Sequence, residues 1–159
     1  MPKVLIELLT AFAGALGFSV LFNIKKDKLF LAAFGGFLGW AVYLLCSLFV
    51  KQEAIRYLIA SMIVTVYAET MARRKRTPAT IFVVPGIVPM VPGGSLYYTM
   101  RYMVEGNQEA FRHQSIHTLL LAGAIAGGIL CAIHLSHRHR LGAGHHPAHC
   151  LFAVACLQV

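Results

Sequence analysis

A proline- and glycine-rich stretch within an apolar segment holds the residues best suited to bind a solute. Pro85, Pro89 and Pro92 fall within eight residues, and Gly93 and Gly94 follow at once. Proline lacks the backbone N–H and its ring clashes with the carbonyl four residues earlier, so we expect no regular helix to pass through. In hydrocarbon the freed carbonyls must be satisfied by neighbouring helices or by a water-filled cavity. Broken helices of this kind recur in secondary transporters.

The chain that leaves the break is suited to hold a negatively charged group. Ser95 is a predicted helix N-cap, and the glycines before it leave backbone N–H groups uncovered. A helix N-terminus attracts carboxylates and other anions, and Tyr97 adds a hydroxyl group nearby. We therefore predict that a site for a carboxylate-bearing solute is formed by Pro85, Pro89, Pro92, Gly93, Gly94, Ser95 and Tyr97. The alternative is a kinked helix with a purely structural role.

Two acidic residues within apolar segments are candidates for proton coupling. Glu69 lies four residues before Arg73, so an ordinary i,i+4 ion pair explains it. The alternative is that Glu69 is a carboxylate that couples transport to protons. Glu7 lies one turn inside the first segment and is a weaker candidate for a proton relay.

The bulk composition indicates which elements must position these residues. Hydrophobic residues make up 58% of the 159 residues and charged residues only 13%, against roughly 25% charged in soluble domains. A soluble protein of this size could not bury so much apolar surface. We predict an all-α integral membrane protein, a bundle of about five transmembrane helices with the fourth broken by the Pro/Gly motif. The predicted segments are 4–22, 29–50, 54–72, 80–100 and 116–136, which make a transmembrane domain 4–136 before a histidine-rich tail, 137–159, predicted to be disordered.

The basic residues predict the orientation of the bundle. If the N-terminus is outside, nine Lys and Arg residues lie on the inner side and five on the outer side. The run Arg73–Arg76 is the strongest anchor, and cytoplasmic loops are enriched in Lys and Arg. We therefore predict a multi-pass protein of the cell membrane with its N-terminus outside and its C-terminus inside. The net charge of +8 does not indicate nucleic acid, because these residues cluster at the ends of apolar stretches.

Glycines at four-residue spacing predict close helix contacts. Gly35 and Gly39 share a face of the second segment, and Gly123 and Gly127 share a face of the fifth. Small residues at this spacing let helix backbones approach closely in lipid. These faces either pack the bundle itself or dock a second protein.

Neither enzymatic motifs nor an ordered metal site can be recognised. The sequence has no phosphate-binding loop, no dinucleotide fingerprint, no HExxH and no GxSxG. The tail histidines have a spacing that matches no ordered site, so we predict no cofactor, no metal ligands and no catalytic residues. A metal-ion transporter that uses the tail is the less favoured alternative.

The order of these features resembles a known family. Phe22-Asn23 follows a glycine-containing first helix, a basic cluster precedes segment four, and the motif itself reads Pro85-x-x-x-Pro89-x-x-Pro92-Gly93-Gly94-x-x-Tyr97. Together they resemble the threonine/serine exporter family of the ThrE type, in particular its small stand-alone YjjB-type component. The resemblance covers residues 4–136, and the tail from His145 departs from the short basic end of family members.

The resemblance implies a function and a partner. It implies an exporter of threonine and serine in the plasma or inner membrane, driven by proton antiport, or in some pairs an exporter of a dicarboxylate such as succinate. It also implies a YjjP-type membrane partner that carries the other half of the fused exporter. An alternative from another class is an assembly subunit that supports a membrane complex and has no solute site of its own.

Overall fold

The structure, a computed structural model, describes residues 2–141, and its regular secondary structure there is helical throughout, which confirms the all-α prediction. The elements in chain order are α1 Pro2–Leu21, α2 Lys26–Phe49, α3 Glu53–Lys75, α4 Thr80–Ile87, a short 3₁₀ helix Val88–Met90, α5 Gly93–Val104 and α6 Gln108–Leu141.

Four of these helices, α1, α2, α3 and α6, are long and apolar enough to cross a membrane. The pair formed by α4 with the 3₁₀ helix and α5, which are bent by 55° relative to each other, is apolar enough to count as a fifth candidate span when it is taken as one unit. The 24 residues of α2 reach about 36 Å at about 1.5 Å per residue, enough for a hydrocarbon core of about 30 Å. The described helices therefore confirm a bundle of about five spans with the fourth one broken.

The helix α2 occupies the centre of one half of the bundle, where it packs against α1, α3 and α4. The helix α6 packs against α3 and α5. One apolar cluster joins α3, the 3₁₀ helix and α6 through Tyr57, Ala60, Val64, Met90, Leu121 and Ile125. A second cluster joins α2, α3 and α4 through Ala32, Ala68, Ala72 and Phe82. Alanine dominates the second cluster, so the backbones of these three helices lie close together.

Glycines set two of the helix crossings. Gly128 of α6 lies against α3, where an added Cβ would come within 2.5 Å of the carbonyl oxygen of Leu58. Gly35 and Gly39 of α2 face α3 and α4 within the chain. Gly123 and Gly127, by contrast, have open space where a Cβ would be placed. The sequence-predicted face of α6 therefore makes no close contact within the described chain, and the contact to α3 is made one residue further on.

Residues with a positive φ end three of the helices. Asn23 (φ 52°) follows α1 and Arg76 (φ 48°) follows α3, and the amide of Thr77 then bonds to the carbonyl of Ala72 at 3.0 Å. Gly106 (φ 72°) closes α5, in the left-handed region that glycine adopts without strain. The helix α6 continues to Leu141, past the predicted boundary at residue 136, and residues 142–159 of the predicted tail lie outside the described part of the chain.

Candidate functional site

The break in the fourth span lies later than the sequence predicted. Pro85 is inside α4 and Pro89 is inside the 3₁₀ helix, so the helical path continues to Met90. The expectation that no regular helix passes this stretch was wrong at Pro85, because a single missing N–H removes only one hydrogen bond. The helical path is lost instead at Val91 and Pro92, before α5 begins at Gly93.

A groove of glycines on α2 receives the broken span. A Cβ at Gly36 would lie 3.1 Å from Cγ of Pro89 and 3.4 Å from the carbonyl oxygen of Pro85. A Cβ at Gly39 would lie 2.7 Å from Cγ2 of Val64 and 3.2 Å from the sulfur of Met90. The closest atom to the Cβ position of Gly36 is Cβ of Ala15 on α1, at 2.5 Å. Side chains at these two positions would therefore clash first with α1 and α3 and would also press on the broken span.

Ser95 is not the N-cap that the sequence predicted. The N-cap position of α5 is Pro92, which offers no capping side chain, and Ser95 is the third residue of the helix. Its hydroxyl oxygen instead accepts hydrogen bonds from Nε2 of Gln114 at 2.8 Å and from Oγ1 of Thr118 at 3.0 Å. The helix begins at Gly93, two residues before Ser95, and not after Ser95 as predicted. The side chain of Ser95 therefore lies on the helix surface that faces α6.

These bonds belong to a polar network between α5 and α6. Thr99 donates to the carbonyl of Ser95 at 2.8 Å and its hydroxyl lies 3.2 Å from that of Thr118. Nδ1 of His117 lies 3.4 Å from the Ser95 hydroxyl, and Nε2 of His117 lies 3.5 Å from a carboxylate oxygen of Glu53 on α3. The helix α5, the C-terminal half of the broken span, is thus attached to α6 by side-chain hydrogen bonds, which satisfy polar groups inside the bundle.

The remaining predicted residues of α5 are open to their surroundings. Cβ atoms at Gly93 and Gly94 would meet nothing within 4 Å. Tyr97 is 64% exposed and packs edge-on against the ring of Tyr98, with ring centroids 5.6 Å apart. These residues therefore do not share one enclosed site with Pro85 and Pro89.

An open pocket lies where the 3₁₀ helix meets α1 and α2. It has a volume of about 240 Å³ and is lined by Glu7, Thr10, Ala11, Gly14, Trp40, Val88 and Pro89. The pocket brings together a predicted residue of the break, Pro89, and the acidic residue of the first span, Glu7. Three elements that are distant in the sequence thus contribute to a single cavity.

Three residues of the pocket wall carry polar groups, namely Glu7, Thr10 and Trp40. The Glu7 carboxylate is an acceptor when ionised, and the Thr10 hydroxyl donates to the carbonyls of Ile6 and Glu7 at 2.9 Å each. The indole N–H of Trp40 is buried and has no hydrogen-bond partner among the described residues. An unsatisfied buried donor costs about 1–3 kcal/mol, so an acceptor that reached this N–H through a local movement of the pocket wall would be stabilised.

Glu69 lies away from this pocket. Its carboxylate accepts a hydrogen bond from Arg73 at 3.1 Å, the predicted i,i+4 pair, and another from Ser136 of α6. Arg73 also donates to Ser136, so the three side chains join the ends of α3 and α6. Among the described residues, no group of three His, Cys, Asp or Glu side chains is placed to hold a metal ion.

Two polar residues of the pocket wall, Thr10 and Trp40, do not stand out in the sequence as site residues. The chain has a single tryptophan, and it lies within an uncharged apolar segment. A buried tryptophan N–H usually finds a hydrogen-bond partner, so a tryptophan inside a span is a detectable signal for a ligand or a neighbouring acceptor. The spacing within α2 alone does not show that Trp40 would face Glu7 and Pro89.

Comparison with known proteins adds one match. A family model described as "Threonine/Serine exporter, ThrE" matches residues 7–134, which is most of the chain and includes every residue that lines the pocket. No solved structure matches the chain.

Proposed function

The chain belongs to the threonine/serine exporter family, and on that premise we propose that it is the small membrane subunit of a two-component secondary exporter. The solute is threonine, serine or a related carboxylate such as succinate, and the other component is a YjjP-type membrane protein. The subunit resides in the plasma or inner membrane with its N-terminus outside and its C-terminus inside. This orientation follows from the excess of Lys and Arg in the loops at 25–28 and 73–76.

The observation that carries this proposal is the pocket between α1, α2 and the 3₁₀ helix. Its wall contains Val88 and Pro89 of the 3₁₀ helix, which directly precede the break at Val91 and Pro92. Small-molecule pockets are mostly apolar with a few polar groups that fix orientation, and here those groups are Glu7, Thr10 and Trp40.

The polar groups suggest how a solute would be oriented. The Trp40 N–H would donate to the carboxylate of the solute, since tryptophan is a donor only. For threonine or serine, the Glu7 carboxylate would accept from the solute ammonium group. A dicarboxylate would place a second negative charge beside Glu7, so its binding requires Glu7 to carry a proton.

Proton coupling is assigned on the same basis. Glu7 lines the pocket, whereas Glu69 is engaged with Arg73 and Ser136. An ionisable group within a span that shares a cavity with the solute can exchange a proton for it, which is the requirement of antiport. We therefore place Glu7 before Glu69 as the coupling residue.

Efflux of labelled threonine and labelled succinate from cells that lack this gene tests the proposal. The gene is restored alone and together with the YjjP-type partner, as wild type, Glu7→Gln or Trp40→Phe. Glu109→Gln is the matched control, because Glu109 is an exposed acidic residue in the first turn of α6. We expect efflux only with both components, and at least tenfold less with Glu7→Gln.

Equal efflux from all variants would contradict the solute pocket and would favour an assembly subunit without a site of its own. Efflux restored without the partner would contradict the two-component arrangement and leave the pocket in place. Pro92→Ala combined with Gly93→Leu tests the break itself, and unchanged transport by that variant would assign the break a purely structural role.

A further inference from the structure

We propose that one end of the bundle binds the headgroups of anionic phospholipids, and that this binding holds the loop between α1 and α2 beside the loop between α3 and α4. The binding surface is a basic patch of seven side chains, none of them buried, namely Lys25, Lys26, Lys28, Arg73, Arg74, Lys75 and Arg76. The inference goes beyond the transport function proposed above and does not depend on a second exporter subunit.

The two runs of basic residues are far apart in the chain and come together in the fold. Ile24 lies in the loop before α2, and Ala79 lies in the loop before α4. Both pack against the same apolar cluster, to which Ala72 in the last turn of α3 also belongs. The sequence places the two runs on one side of the membrane, and the structure adds that they border one small surface.

The basic patch has too few acidic neighbours to neutralise it. The acidic residues at this end of the bundle are Asp27 and Glu69, and Glu69 is already paired with Arg73. The other six basic side chains take part in none of the ion pairs formed among the described residues. Like charges gathered in this way repel each other, so an anion bound between the two loops would relieve the repulsion.

The opposite half of the bundle has no such excess of charge. Its basic residues are nearly matched in number by acidic ones, with Lys3, Lys51, Arg56, Arg101 and Arg112 against Glu7, Glu53, Glu105 and Glu109. Exposed basic residues in that half, such as Lys51 and Arg112, therefore provide a control for the effect of charge alone.

The apolar surface beside the basic patch indicates that the anion is a phospholipid. Leu21, Phe22 and Phe30 are large apolar residues that are 76%, 56% and 69% exposed. Phe30 lies one turn along α2 from Lys26, on the same face of the helix. A phospholipid places its phosphate on the cations and its acyl chains on these apolar side chains, whereas a free anion or an acidic protein segment covers only the cations. Clusters of four to eight Lys and Arg at the end of a transmembrane helix are typical of anionic lipid binding.

The position of α4 gives the bound lipid a structural effect. The helix α4 begins at Thr80, directly after the second loop, and its Phe82 is fully buried in the apolar cluster on which the two loops pack. The helices α2 and α3 both contact α4. A lipid whose phosphate contacts Lys26 of α2 and Arg74 of α3 would oppose the separation of these two helices and so would stabilise the bundle.

Spin-labelled lipids test the binding directly. The whole chain is reconstituted in phosphatidylcholine vesicles, and its association with spin-labelled phosphatidylglycerol is compared with that of spin-labelled phosphatidylcholine. We expect a preference of about fivefold or more for phosphatidylglycerol, since each basic residue near the surface contributes about 1 kcal/mol, which is about fivefold. Lys26→Gln combined with Arg74→Gln should lower the preference below about twofold. Lys51→Gln combined with Arg112→Gln removes the same charges from the opposite half and should leave it unchanged.

Two outcomes of this experiment would overturn the inference. Equal association of the two lipids with the wild-type chain would mean that the basic patch does not bind lipid headgroups and would leave an acidic protein segment as its partner. An equal loss of preference in the two double variants would show a general attraction to positive charge rather than a binding surface at the patch.

Thermal unfolding in a neutral detergent gives an independent measurement that needs no variant. Phosphatidylglycerol should raise the midpoint of unfolding of the wild-type chain by about 3 °C or more, because a ligand of the folded state stabilises it. Phosphatidylcholine should not raise it, and sodium chloride at about 1 M should abolish the difference between the lipids by screening. A difference that persists in the salt would contradict binding through charge. Inorganic phosphate that raised the midpoint as much as phosphatidylglycerol at equal concentration would assign the patch to a free anion and overturn the inference.

Discussion

Gly36 of α2 lies so close to Pro89 that a Cβ on the glycine would be only 3.1 Å from the Cγ of the proline. This contact brings the 3₁₀ helix against α2, and it places Pro89 where α1 and α2 leave a pocket. The position of the break thus depends on a helix that precedes it by about fifty residues in the chain.

The glycine groove of α2 should be sensitive to even one added carbon. Gly39→Ala would place a Cβ 2.7 Å from Cγ2 of Val64, which overpacks the contact between α2 and α3. We expect a loss of about 1–3 kcal/mol in the free energy of unfolding, measured in detergent by circular dichroism. Gly127→Ala is the control, because its Cβ would meet nothing within 4 Å. Equal effects of the two changes would show that the groove is not tightly packed.

The hydrogen bond between Ser95 and Gln114 should couple α5 to α6. A double-mutant cycle with Ser95→Ala and Gln114→Leu measures that coupling in the free energy of unfolding. We expect about 0.6 kcal/mol, the average for side-chain hydrogen bonds between transmembrane helices. Ser47→Ala is the reference, since its hydroxyl bonds to the carbonyl of Leu44 within its own helix. Additive effects at Ser95 and Gln114 would contradict the network.

The N–H of Trp40, which has no hydrogen-bond partner in the described part of the chain, should affect solute binding rather than the stability of the bundle. Trp40→Phe removes a donor to the solute carboxylate, so we expect KM for efflux from proteoliposomes to rise roughly tenfold, as for loss of a hydrogen bond to a charged group. Tyr67→Phe is the contrasting variant, because the Tyr67 hydroxyl already donates to the carbonyl of Leu31 at 3.0 Å. It should lower the free energy of unfolding by about 1 kcal/mol and leave KM unchanged. If Trp40→Phe instead lowered the free energy of unfolding and left KM unchanged, while Tyr67→Phe raised KM, Trp40 would not belong to the solute site.

Glu69 and Glu7 should respond differently to loss of charge. Glu69→Gln weakens the contact with Arg73 and Ser136, and since Arg73 is 46% exposed we expect only about 0.2–1 kcal/mol in the free energy of unfolding. The pH dependence of efflux should then stay as in the wild type. Glu7→Gln should instead flatten that dependence. If Glu69→Gln flattened the pH dependence of efflux and Glu7→Gln did not, Glu69 and not Glu7 would be the coupling residue.

The orientation of the bundle can be checked with reporter fusions. Fusions after Lys28 and Arg76 should report a cytoplasmic location, because both follow clusters of basic residues. A fusion after Gly106, in the turn between α5 and α6, should report the outer side. If the three fusions reported the opposite sides of the membrane, the proposed orientation would be wrong and the N-terminus would lie inside.

Hydropathy and length are enough to predict the number of spans. Each predicted segment corresponds to one described helix or, at 80–100, to the bent pair of helices. The helix α6 starts at Gln108 and not at the predicted residue 116, because the residues from Gln108 to Ser115 are mostly polar and so carry no hydropathy signal of a span. They are helical nonetheless. The side-chain oxygen Oδ1 of Asn107 accepts a hydrogen bond from the backbone N–H of Ala110 at 3.2 Å and so caps the N-terminus of the helix.

The pocket could be predicted only in part. Pro89 and Glu7 each stood out by residue type, as a helix breaker and as a charge in an apolar span. That they share a cavity depends on how α1, the 3₁₀ helix and α2 pair in space, and no local pattern encodes that pairing. Ser95 illustrates the converse, because its residue type suits an N-cap while the glycines before it begin the helix earlier.

The two halves of the broken span are held by different kinds of contact. The helix α4 is wedged among α1, α2 and α3, whereas α5 packs mainly on α6 and has no buried residue. Water can replace the hydrogen bonds of Ser95 and Thr99 at little enthalpic cost, but it cannot replace the close packing at Gly36 and Gly39. Hydration of the contact between α5 and α6 would therefore release α5, which could tilt about Val91 and Pro92 while α4 stays fixed by its close packing on α2.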